Sequence, residues 1–184
     1  WTAVATREAS SLGLIGGTLW AWGTNSNGQL GTGDTSTRTS PAQVGVAIDW
    51  AKVAMGRSSA YAINSSGALY AWGANGNGEL GVGDTFQRLS PVRAGLPSDV
   101  WLDVSAGDSS ARGIKSVNGL IADSSGTLWA WGYNNYGQLG TGDTSTRATP
   151  TQVGAATNWR SVASGLYHNF AIQAGNSLWG WGKN

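Results

Sequence analysis

The sequence contains no Cys, which excludes disulfides, thiolate metal sites and thiol catalysis and leaves the compartment open. Charge is scarce: Asp, Glu, Lys and Arg make up 11% of the 184 residues and nearly cancel, for a formal net charge of +1. The Lys and Arg residues are scattered, whereas binding to nucleic acid or an anionic membrane needs them clustered. No nucleic-acid partner is therefore expected, although a local patch stays open. No apolar run is long enough to cross a bilayer, so no membrane insertion is expected either. The first residue is Trp1, without Met or a charged leader before it, and the chain is expected to be processed, trimmed or incompletely covered.

What the sequence has in quantity is Trp, Gly and repetition. It is 40% hydrophobic and carries eleven Trp, whose rings need somewhere to be buried. "LWAWGTNSNGQLGTGDTSTRTSPAQVG", from Leu19 to Gly45, returns as "LWAWGYNNYGQLGTGDTSTRATPTQVG" from Leu128 to Gly154. The aromatic phrase occurs four times, as "LWAWG" at Leu19, "LYAWG" at Leu69, "LWAWG" at Leu128 and "LWGWG" at Leu178. A second phrase opens at Trp1, Trp50, Trp101 and Trp159, spaced 49, 51 and 58 residues apart. Units of approximately 1–49, 50–100 and 101–158 follow, with a partial fourth at 159–184. The longer third unit is read as carrying an inserted loop, "SSARGIKSVN", Ser109 to Asn118.

Each unit reads as strand and turn. In "ALYAWG", Leu69 and Ala71 alternate with Tyr70 and Trp72, the period of a β-strand with both faces apolar and therefore covered on both sides. "SSG" at Ser65 and Ser124 is hairpin-turn chemistry, and "NSNGQLGTGD" is dense in residues that enter left-handed turns cheaply. No stretch carries a helical period with caps. About four short strands per unit of about fifty residues is the arithmetic of a β-propeller blade, so the fold class is all-β.

The order Trp, Gly-x-x-His-x-x-Ala-Ile, Leu-Trp-x-Trp-Gly, Asn-x-x-Gly-Gln-Leu-Gly-x-Gly-Asp, Pro resembles the regulator of chromosome condensation repeat. Its fullest copies are "GLYHNFAI" from Gly165, "WGYNNYGQLGTGD" from Trp131, and Pro150. Kelch repeats have a similar period but are marked by a Gly doublet, and only Gly16-Gly17 offers one ahead of a strand. The resemblance implies a ring of seven blades, to which this chain would contribute three full units and part of a fourth. The remaining blades would come from a longer chain or from a second copy, because an open half-ring exposes Trp-rich faces and strand edges.

The residue types that could carry chemistry are largely absorbed by the repeat. Every Trp falls on a repeat position, which reads as blade core. The plant ultraviolet photoreceptors share the repeat, but their Gly-Trp-Arg-His-Thr sensing motif is matched here by "GRSSA" at Gly56 and "GLYHN" at Gly165, so photoreception is not expected. His168, the single histidine, sits at the family's repeat His, where the resemblance implies a structural hydrogen bond, and no motif supplies a nucleophile or carboxylate partner. Asp34, Asp84 and Asp143 are each followed four residues later by Arg38, Arg88 or Arg147, which reads as a turn rather than a calcium loop. "GQLGTGD" lacks the Lys and the helix of a phosphate-binding loop. No catalytic, metal or cofactor residue is expected.

Residues that do not repeat say more about function. Arg57, Asp108, Leu166 and Tyr167 occupy equivalent loop positions yet differ between units, and the expected insertion holds Arg112 and Lys115. These six are the candidate partner-binding residues, since variable loops on one face are where propellers meet partners. Replacing Arg112 and Lys115 by Ala is expected to leave folding intact. The chain reads as a non-enzymatic structural or binding module for a protein or glycan. Its Gly-, Thr-, Ser- and Asn-rich, weakly charged repeats suggest a bacterial, phage or secreted surface assembly, extracellular or on a virion. The alternative that the resemblance implies is a guanine-nucleotide exchange factor acting on a small GTPase, although the basic segments of chromatin-binding members are absent.

Overall fold

The computed structural model of the protein describes residues 1–116 and 126–183. The alternation in each aromatic phrase is realised as a strand covered on both sides, and the phrases assemble into antiparallel sheets in chain order. The first blade comprises β1 (Ala3–Arg7), β2 (Ser10–Ile15), β3 (Thr18–Gly23) and β4 (Arg38–Gln43). The second comprises β5 (Trp50–Met55), β6 (Ser59–Asn64), β7 (Leu69–Gly73) and β8 (Arg88–Arg93). The third comprises β9 (Trp101–Ala106), β10 (Ser110–Ser116), β11 (Gly126–Gly132) and β12 (Arg147–Gln152). β13 (Trp159–Ser164), β14 (His168–Gln173) and β15 (Leu178–Gly182) form the fourth, bridged to the third at Gly126 and Trp159. Among the described residues there is no helix.

The first strands β1, β5, β9 and β13 lie against one another in succession, whereas the fourth strands make no comparable approach. The sheets therefore fan outward from an axis beside the first strands, as propeller blades do. Between the first two blades, Leu12, Leu14 and Leu19 pack on Trp50, Met55 and Trp72. Tyr61, Ile63 and Leu69 pack likewise on Trp101, Ala106 and Trp131 at the next junction. Leu128 meets Trp159, Val162 and Ala171 at the third. Each blade thus presents Leu and Ala forward and Trp backward, which is why the strand needs two apolar faces. Trp72 and Trp131 are fully buried, but Trp1 is 59% and Trp179 53% exposed, so not every repeat Trp is core. Trp1 packs on Trp22 and Gly13 of its own blade, on a face that no other blade covers among the described residues.

One expectation is corrected. Ser110–Ser116, read as part of an inserted loop, is strand β10, paired with β9 on one side and β11 on the other. Of the rest of that loop, Ser109 lies in the turn before β10, and Val117 and Asn118 lie outside the described residues. Arg112 holds the strand position that Leu12 and Tyr61 hold in the earlier blades, and it is 1% exposed. A guanidinium in the middle of a core strand breaks the apolar pattern by which a strand is recognised.

Candidate functional site

In an antiparallel up-and-down sheet, the turns between first and second strands emerge at the same end as the long connections between third and fourth strands. The other end carries the second-to-third turns and the links between blades.

The long connections are built around a buried Asn. The Asn25 side chain donates to the Asp34 carbonyl at 2.9 Å and accepts from the Leu30 N–H at 2.9 Å. Asn75 and Asn134 repeat both bonds, to Asp84 and Leu80 and to Asp143 and Leu139. Arg38 donates to Asp34 Oδ2 at 2.7 Å, and Arg88 and Arg147 donate to Asp84 and Asp143 likewise. The Arg38 guanidinium beside Asp34, with the Ser36 N–H, holds its carboxyl below the usual range. For Asp84 and Asp143 the backbone N–H groups of Phe86 and Ser145 lead, with the Arg second to them among the lowering contacts. These Asp side chains are turn elements, as their spacing suggests. Among the described residues, no group of three or more His, Asp or Glu side chains converges as metal ligands would.

The six candidate residues divide three ways. Arg57 and Asp108 lie in first-to-second turns and pair with residues of the first blade, Arg57 with Glu8 at 3.2 Å and Asp108 with Arg7 at 2.7 Å. Leu166 and Tyr167 occupy the same turn of the fourth blade, with Leu166 exposed. Arg112 is interior, donating to Ser110 Oγ at 2.7 Å and to the Gln138 carbonyl, so it cannot touch a partner. Its substitution by Ala must disturb the core, contrary to the expectation from sequence. Lys115 lies at the opposite end of the sheets from the other candidates, bound to Asp99 at 3.0 Å rather than in a free loop. His168 makes no side-chain hydrogen bond among the described residues and meets the Phe170 ring edge-on, with centroids 5.8 Å apart.

Around Tyr167 the structure gathers residues that sequence analysis passed over. Tyr136 lies 5.1 Å from Tyr167 and 6.1 Å from Tyr133, ring centroid to centroid, each pair edge to face. Lys183 Nζ stands 4.7 Å from the Tyr136 ring centroid and 5.6 Å from that of Tyr167. At the first junction, the positions of Tyr136 and Tyr167 are held by Asn27 and Ser58, joined by a 3.3 Å hydrogen bond. The fourth blade's turn and the third blade's long connection have therefore exchanged a polar contact for an aromatic one. The signal is present in the sequence, where "YNNYGQLG" departs from "TNSNGQLG" at Tyr133, Asn135 and Tyr136, two of them aromatic. What joins those two departures to Tyr167 is the stacking of blades.

A model of the Regulator of chromosome condensation (RCC1) repeat matches residues 16–63, 66–111 and 125–172, and a second model of the same repeat matches 50–79. The chain belongs to this repeat family, and its sheets are blades of an RCC1-type propeller. It is 33% identical over 176 residues to the Ultraviolet-B receptor UVR8 of Arabidopsis thaliana, covering 92% of this chain and 38% of that protein. Human WBSCR16 superposes with a TM-score of 0.85 at 24% identity, over 99% of this chain and 47% of that one. Prp20p of Saccharomyces cerevisiae, whose structure is described with its binding to Gsp1p and histones, superposes with a TM-score of 0.83 at 22% identity, over 98% and 44%. At these identities the two structures establish the fold. The chain spans less than half the length of each of these relatives.

Proposed function

We propose that the chain is a non-enzymatic binding module whose loop-bearing face engages a protein partner through Tyr136, Tyr167 and Leu166. The observation that carries this reading is the aromatic cluster at positions where the other blades have small or polar residues. The scaffold does not require it, since the first blade is built with Thr24 and Asn27 at the places of Tyr133 and Tyr136. Tyr is a preferred contact residue because it offers a large, stiff, amphipathic surface with few torsions to freeze. Prp20p, of the same fold, binds Gsp1p and histones, which supports a protein rather than a glycan as the partner. The low charge and the Gly-, Thr- and Ser-rich repeats support a place in a bacterial, phage or secreted surface assembly.

The second reading is nucleotide exchange on a small GTPase, favoured by the likeness to Prp20p and its binding of Gsp1p. One experiment separates the two. The chain and its Tyr136→Ala/Tyr167→Ala variant are each tested against coat proteins of the source assembly by interferometry and against a small GTPase loaded with fluorescent nucleotide. Coat-protein binding lost in the variant supports the assembly reading. Catalysed nucleotide release transfers the conclusion to the exchange factor, and equal binding by both chains removes the tyrosine face from the argument.

A further inference from the structure

Because blade junctions repeat, a side chain filling one junction informs on the next. At the junction of the second and third blades, on the end of the sheets opposite the tyrosine cluster, Trp101 and Trp129 meet edge to face with centroids 6.4 Å apart. The Lys115 ammonium lies 3.6 Å from the Trp129 centroid and 6.0 Å from that of Trp101. It also donates to Asp99 Oδ1 at 3.0 Å, and the Asp99 side chain is only 9% exposed. Two aromatic rings and a carboxylate thus hold one ammonium, which gains from both the ring quadrupoles and a charge-assisted hydrogen bond.

The junction of the first and second blades has the same frame without the cation. Trp50 is paired with Asn64 as Trp101 is with Lys115, and Tyr70 is paired with Ala62 as Trp129 is with Gly113. The Trp50 and Tyr70 rings are near perpendicular, at 85°, with centroids 5.1 Å apart. Asp49 supplies the carboxylate, and its Oδ2 accepts from Asn64 Nδ2 at 2.9 Å. Asn64 is short and neutral where Lys115 is long and charged. Its Oδ1 is committed to the following turn, accepting from the N–H groups of Ser66 and Ala68. A cavity of about 320 Å³ lies here, lined by Asp49, Trp50, Asn64 and Tyr70 with Val44 and Pro91 as apolar wall; its counterpart of about 390 Å³ beside Asp99 and Trp129 has the Lys115 ammonium in its wall, and this one has no cation. No Lys or Arg lines it, and among the described residues Asp49 has no ion-pair partner.

We propose that this junction is a binding site for an alkylammonium group, a lysine side chain of a partner polypeptide, seated against Trp50 and Tyr70 and donating to Asp49. The third blade satisfies the same frame internally with Lys115, which identifies the ligand chemistry. Val44 and Pro91 suit the methylene stem of such a side chain, which buries its carbons while its head stays polar. The site is at the other end of the blades from the tyrosine face and does not depend on that face being used.

The test is titration of the isotope-labelled chain with Nα-acetyl-lysine methylamide, followed by the indole N–H resonance of Trp50. Nα-acetyl-norleucine methylamide, which lacks the ammonium, is the control. The expected result is a saturable shift with the lysine probe and none with norleucine. Asn64→Lys, which gives the second blade its own ammonium, and Asp49→Asn, which removes the carboxylate charge, should each weaken the probe by about five-fold or more. Unchanged amide spectra elsewhere establish that each variant folds, and Asp49→Asn serves if the altered turn in Asn64→Lys unfolds the blade. Absence of a shift, equal response to norleucine, or undiminished binding by a folded Asp49→Asn variant overturns the proposal.

Discussion

The indole N–H of Trp72 in the second blade donates to the backbone carbonyl of Gln29 in the first, at 2.9 Å. Trp181 makes the same bond to Gln138 at 3.0 Å two junctions further on, while at the junction between them the Glu79 carbonyl accepts from the Tyr61 hydroxyl at 2.6 Å instead. Where the bond forms, the aromatic phrase ("LYAWG", "LWGWG") supplies the Trp and "GQLG" of the preceding unit supplies the carbonyl, whereas the Trp131 indole, which follows the variant "GELG", has no such partner. Glycine follows in the loop because a Cβ on Gly31, whose φ is +74°, would lie 2.7 Å from the Trp72 ring nitrogen.

Two substitutions at this contact separate the bond from the packing. Trp72→Phe keeps most of the apolar contact and loses the donor, and should cost about 1 kcal/mol. Trp72→Ala also opens a cavity and should cost about 3–5 kcal/mol. Chemical denaturation of each variant measures both, and equal losses would mean that the hydrogen bond rather than the ring organises the junction.

Arg112 gives a sharper case. Its guanidinium, together with Asn169 at 2.8 Å and Trp181, donates to the single carbonyl of Gln138, while its Nε has no partner. Burial pushes the guanidinium down to about 9, which registers how poorly its charge is accommodated. Removing the side chain leaves a cavity and strips one donor from Gln138, so Arg112→Ala should destabilise the chain by about 2–5 kcal/mol. Arg112→Leu, which restores the residue type of Leu12 in the first blade, should lose far less, because an apolar side chain often replaces a buried charge at little cost. Thermal unfolding ranks the two, and an Ala variant as stable as the parent chain would mean that the third blade does not depend on this side chain.

Asp34, Asp84 and Asp143 should contribute to the acid limit of stability. All three are held below the usual carboxylate range by Arg and backbone N–H partners in the fold. A depressed folded value means stabilisation that is present above the unfolded carboxylate range and lost as pH falls through the folded value. The melting temperature should therefore fall below about pH 4, near the unfolded Asp value. The triple Asn variant should flatten that limb of the curve. An unchanged acid limb would mean that other carboxylates govern it.

The repeat framework is legible in the sequence because each strand phrase carries its own two-face alternation, and because every Trp falls on a repeated aromatic position. Arg112 is not legible in that way. A charged residue reads as surface until its acceptors are known, and Gln138 lies 26 residues on, in a different phrase. Leu166 and Tyr167 stand out as departures from the repeat, and so do Tyr133 and Tyr136. Their union into one cluster depends on which loops adjacent blades bring together, and periodicity carries no information on that. The same holds for Lys115, whose place over Trp129 follows from pairing β10 with β11.

Glu79 tests the repeat logic at a single atom. It stands where the first and third blades have Gln29 and Gln138, and it is as buried as they are. Its Oε2 accepts from the Asn77 N–H at 2.7 Å, as the Gln29 and Gln138 oxygens accept from Asn27 and Tyr136 at 2.9 Å. The bond needs an acceptor but not a charge. Burial pushes the Glu79 carboxyl above its usual range, so the fold disfavours the ionised form. For an acid with a raised folded value, stability falls as pH rises from the unfolded value through the folded one, and the deficit is complete above it. Glu79→Gln keeps the acceptor and removes the charge, and should stabilise the chain at pH 7 by about 0.5–2 kcal/mol. The advantage should shrink as pH is lowered toward the ordinary Glu range, about 4.3, where the parent carboxyl is protonated in both states. Melting temperatures of the two chains from pH 4 to pH 8 measure it. A constant difference across that range would assign the effect to packing, and no difference at pH 7 would mean that the loop N–H groups compensate the buried carboxylate in full.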